Sequence, residues 1–132
     1  MGWAAFAIGL VRIFEGDPRD AVVHLSRSRE LLEAVPDYPL LASALCQCAF
    51  ALVQLGRTIE ALPLLARGRS LCQRHSVRVQ FATLSAIVSA ESFVLALENK
   101  SLIDEERARL LRGARIACRE AMRHGQVPLK KG

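Results

Sequence analysis

The chain has 132 residues, a formal net charge of +5 and 52% apolar residues. That is one domain of ordinary size with ample material for a core. Five prolines, eight glycines and no low-complexity tract exclude a disordered or fibrous chain. The basic balance rests on arginine, but aromatics make up only 5% and do not alternate with the arginines, so nucleic-acid binding is not expected.

Ala, Leu, Arg and Glu dominate, and no strand-like alternation occurs, so the elements read as helices throughout. The first covers residues 2–15, and Gly16 suits the position just past its end. It is too short to span a bilayer, and it lacks the basic start and small-residue cleavage site of a signal peptide. Phe6 also stands where a myristoylation signal needs Ser or Thr.

Asp17 is a good cap and Pro18 a good first residue for the second helix, which runs to about residue 34. Residues 35–39, with Pro36 and Pro39, form a break. The third helix covers 40–55 and stops at Gly56. Thr58 is the expected cap of the fourth, which runs to about Arg74. Pro63 implies that this helix starts late or kinks. Ser76 caps a fifth helix over 77–98. After a longer loop, Asp104 caps a sixth, with Glu105 and Glu106 in its first turn; it ends near His124 and Gly125. Residues 127–132 read as a frayed tail.

Six identities recur 40 residues apart: Gly16/Gly56, Ala21/Ala61, Leu25/Leu65, Arg27/Arg67, Arg29/Arg69 and Leu31/Leu71. Such a period marks stacked supersecondary units that cannot bury their apolar faces alone. A third unit has diverged. Leu110, Leu111, Arg115 and Cys118 overlie Leu64, Leu65, Arg69 and Cys72 at a spacing of 46, with Arg107 in place of the repeated Ala.

The pattern resembles the tetratricopeptide repeat in a variant longer than the usual 34 residues. Gly9 precedes Gly16, and Ala49 precedes Gly56, by the seven residues that separate the family's small residue from its turn glycine. Ala21 and Ala61 match its small residue early in the second helix, Leu25 and Leu65 the large apolar residue after it, and Ser28 and Gly68 the later small one. The chain departs from the pattern at Ala5 and Leu45, where the family has a large residue early in the first helix, and at Pro36, which displaces the closing proline. The resemblance covers residues 4–75 well. Its repeat length and turn are similar to those of bacterial LuxR-type ATP-dependent regulators.

The expected fold is therefore all-α: a right-handed solenoid of three antiparallel helical hairpins. One domain would span residues 1–126, with units at about 2–35, 40–75 and 77–124. The resemblance implies a cytoplasmic module that binds a protein or peptide. A small-effector-sensing domain of a transcription regulator is the alternative.

By that analogy the nearly uncharged first helices of the pairs line the inner face. The candidate contacts are Leu45, Gln47, Phe50, Val53, Gln54, Gln80, Thr83 and Glu91, with plain core as the competing reading. Trp3, Phe6, Ile8, Leu10, Val11, Ile13 and Phe14 surround the first helix, which implies cover on more than one side, self-association included. Arg112, Arg115, Arg119 and Arg123 share a helix face, either solvated or a docking strip for an acidic partner.

Four Cys and three His are too scattered for a metal site or nucleophile: Cys46 and Cys48 diverge, and Cys72 with His75 has no second pair. With no phosphate-binding glycine loop either, no enzyme, cofactor or metal is expected.

Overall fold

The computed structural model describes residues 2–35, 37–75 and 79–125. Among them the chain forms six helices and no strand: α1 Gly2–Phe14, α2 Pro18–Ala34, α3 Tyr38–Gln54, α4 Thr58–Arg74, α5 Val79–Leu97 and α6 Asp104–Gly125. No helix among the described residues is long and apolar enough to cross a membrane.

The elbows after α1 and α3 are the same structure built twice. Gly16 and Gly56 both have φ of +78°. The Gly16 and Gly56 amides donate to the carbonyls of Ile13 and Val53 at 3.0 and 2.9 Å. The next amides, of Asp17 and Arg57, reach back to Arg12 and Leu52, both at 2.8 Å. These paired bonds satisfy carbonyls that a helix end otherwise leaves open. Nothing lies within 4 Å of a side chain added at either glycine, so any penalty comes from the backbone alone. Gly16→Ala and Gly56→Ala are each expected to destabilise by about 1–2 kcal/mol, the cost of the left-handed conformation. Chemical denaturation checks this, and a change within error would refute the backbone argument.

Helix starts differ from expectation at three places. Asp37 caps α3, accepting from the Leu40 amide at 3.3 Å as Asp17 does from Asp20 at 3.1 Å. Thus Tyr38 and Pro39 belong to the helix; Pro39 is its second residue, where no amide hydrogen is needed. Thr58 is the first residue of α4 rather than its cap. Arg57 stands at the cap position, and its guanidinium grips Glu60 through two bonds of 2.7 Å. Likewise Asp104 is the first residue of α6, and Glu106 accepts from the Ile103 amide at 3.2 Å, half of a capping box. Ser76 lies outside the described residues.

Pro63 does not delay α4, which is helical on both sides of it. Pro63 and Ile59 are both exposed, so the carbonyl left without a donor faces water.

The core is centred on α3, ten of whose seventeen residues are buried. Two apolar clusters meet along it, one around Leu25, Cys48, Leu52 and Leu65, the other around Leu32, Leu41, Leu45 and Leu71. Ala42, Ala44, Ala49 and Ala51 allow neighbouring backbones close to it. Consecutive helices are tied at several levels. Ser28 Oγ donates to the Gly2 carbonyl at 2.7 Å, Arg12 pairs with Asp20 at 2.6 Å, and Tyr38 stacks on His75 with ring centroids 3.7 Å apart. Arg67 of the repeat pairs with Glu33, joining α4 to α2.

The two junctions between successive pairs are not alike. α3 packs mainly on α2 and only lightly on α1, whereas α5 packs mainly on α3 and only lightly on α4. In the third unit Leu110 is buried at 3% exposure while Leu111 is 38% exposed. Leu110, not Leu111, therefore corresponds to buried Leu65. The spacing is 45 rather than 46, which also sets Gly113 over Gly68.

Candidate functional site

The predicted contact residues separate into two groups. Leu45 and Val53 sit in the core and offer no surface, because α2, α4 and α5 all pack on α3. Gln47, Phe50 and Thr83 are half-buried, and Gln54 and Glu91 are exposed. The Gln80 side chain lies outside the described residues. Phe50, Gln54 and Glu91 converge on a shallow groove between α3 and α5, completed by Ala90, Val94 and Glu98.

On α5 the exposed Leu84, Ile87 and Val94 fall at intervals of three and seven, so they share a stripe with Glu91. Sequence reading missed this stripe. α5 is apolar almost all round, so nothing in its pattern marks which apolar residues the neighbouring helices leave bare.

Arg112, Arg115 and Arg119 are exposed on α6, away from its buried seam of Leu110, Ala114 and Ala117. Arg123 stands at the edge of that strip and faces a second concavity. This cavity, of about 480 Å³, lies between α4, α5 and α6. It follows from the second junction: α5 leans on α3, and α4 and α6 stand apart, bridged by Arg69 and Glu120 at 2.9 Å. Ala82, Ser85, Ala86 and Ser89 of α5 line its floor, with Ala66 and Gly113 on the flanks. Their small side chains leave the space open. That row, at spacings of three and four, was the available signal.

Three thiols lie near this floor or in the core. Burial pushes the Cys46 thiol up to about 11, with Ser89 Oγ 3.6 Å away only partly offsetting it. Burial also raises Cys48 and Cys72. A thiol whose pKa is higher folded than unfolded stabilises the fold while protonated. That contribution is complete below pH 9 and is lost as pH rises through about 11. Stability measured by urea titration should therefore fall between those values, less so in Cys46→Ala; identical pH profiles would refute the assignment. Among the described residues, no three His, Cys, Asp or Glu side chains gather as a metal site.

No family model, curated protein or solved structure matches the chain.

Proposed function

We propose that the chain is a helical-repeat interaction module of tetratricopeptide type, stacked as a right-handed solenoid of antiparallel hairpins. Its ligand is an amphipathic helical segment of a partner protein, laid in the α3–α5 groove. The observation that carries this reading is the bare stripe of Leu84, Ile87 and Val94 beside Phe50. Apolar anchors at helical spacing suit a helix-in-groove partner, and Glu91 and Glu98 favour basic residues on its flanks.

The hairpin topology is supported by the contacts of α1. Gly9 faces Leu25 and Gly2 faces Leu32, so residue numbers rise on one helix as they fall on the other. Trp3, Val11 and Phe14 expose a further apolar face on α1, available to another copy or a neighbouring segment. The four free cysteines fit a reducing, cytoplasmic setting.

The test is fluorescence anisotropy with labelled basic amphipathic helical peptides. Saturable binding lost in Val94→Asp but kept in Val23→Asp, an equally exposed apolar site on α2, supports the groove. Equal effects of the two, or no binding, overturn it.

The α4–α6 cavity favours a second reading, in which the module senses a small effector between its repeats.

A further inference from the structure

The cavity between α4, α5 and α6 is separate from the α3–α5 groove, and its walls are of two kinds. Gly113 abuts Phe93, and seven residues further along α6 Glu120 meets Arg69. Arg109 and Arg123, both on the lining, are about 21 Å apart by helix rise, so the space is a trough along α6. Leu62, Leu65 and Phe93 make one end apolar, while Gln73, Ser85, Glu120 and Arg123 gather toward the other.

Two observations point to what this polar end holds. Arg69 is neutralised by Glu120, whereas Arg123 pairs with no carboxylate among the described residues. This leaves one net positive charge. The Ser85 hydroxyl is buried in a residue only 5% exposed and has no hydrogen-bond partner. An orphaned buried hydroxyl costs about 1–3 kcal/mol, a cost that a bound acceptor removes. No cluster of backbone amides accompanies the spare arginine, which suits a single negative charge better than a phosphate.

We infer that the cavity binds a small monoanionic amphiphile, an unbranched apolar chain bearing one carboxylate. The carboxylate lies between Arg123 and the Ser85 hydroxyl, and the chain runs along the trough toward Phe93. The volume is within the range of small-molecule sites. This assignment rests on the effector-sensing reading and is independent of the peptide groove.

Isothermal titration of the full chain with dodecanoate, below its micelle concentration, tests it. Dodecanol and dodecyltrimethylammonium serve as comparison ligands, and circular dichroism monitors the fold. Dodecanoate should bind one-to-one and at least about tenfold tighter than dodecanol, as expected for a charge-assisted pair. Ala66→Trp, at an exposed position on the cavity wall, should block binding while the fold persists. Ser85→Ala should raise the melting temperature of the free chain yet weaken dodecanoate about fivefold or more. A purely structural serine would not produce that opposition.

Dodecanol binding as tightly as dodecanoate, or unchanged dodecanoate affinity in Ser85→Ala, overturns the carboxylate assignment and leaves effector sensing standing. No saturable binding by any of the three, or binding indifferent to Ala66→Trp, overturns both.

Discussion

Leu45→Ala is expected to lower the unfolding free energy by about 2–5 kcal/mol, the range for a large-to-small change in a close-packed interior. Leu45 is 0% exposed and belongs to the cluster with Leu32, Leu41 and Leu71. The Cβ position of Gly68 on α4 is 3.8 Å from its Cβ, so two helices close on it with little freedom to collapse into a void. Against a total stability of about 5–15 kcal/mol, that loss is a large fraction of the whole. The midpoint of urea unfolding measures it. Were Leu45 a surface contact for a partner, the same truncation would stay within about 0.5 kcal/mol, and that outcome would return it to the binding face.

Gly9→Val should be as damaging, by overpacking. A Cβ at Gly9 stands 2.5 Å from Leu25 Cγ and 2.8 Å from its Cδ2. Leu25 is completely buried and has no solvent to turn toward. Gly9→Ala gains about 1 kcal/mol of helix propensity, which partly offsets the clash. Valine adds two branched methyls to the same contact, and the expected loss is about 3 kcal/mol or more. Thermal unfolding of both variants settles the order: alanine between wild type and valine. A valine variant as stable as wild type would mean that α1 and α2 are not held this close. Gly113→Ala is the instructive contrast. Its Cβ meets Phe93, but Phe93 is only half-buried beside the cavity and can swing aside.

Much of this architecture was legible from residue type because local chemistry dictates it. A left-handed turn selects Gly16 and Gly56, and a helix start selects Asp17. Small residues at Gly9 and Gly68 mark where backbones approach. The misreadings arise where two local solutions compete. Asp37 and the Pro36–Pro39 break argue for opposite things over the same residues, and the cap prevailed because Pro39 needs no amide at the second helical position. Thr58 was a sound cap by type, but an Arg57–Glu60 pair holds that turn instead.

The candidate site was less legible for a different reason. α3 and α5 are apolar around most of their circumference, so periodicity does not reveal which side a neighbour covers. Leu45 and Val53 lie under such neighbours, whereas Phe50 and Val94 do not. The cavity depends on the lean of α5 toward α3, a property of the assembled helices that no single segment encodes.

That lean has a dynamic counterpart. The final helix pair joins the rest along a single main seam, between α3 and α5, with Arg69–Glu120 as a solvent-screened clasp across the gap. Such a pair is the cooperative unit most readily released without melting the remainder. A molecule lodged beneath the clasp would supply a second seam, turning a loosely hung end of the protein into one whose rigidity reports occupancy.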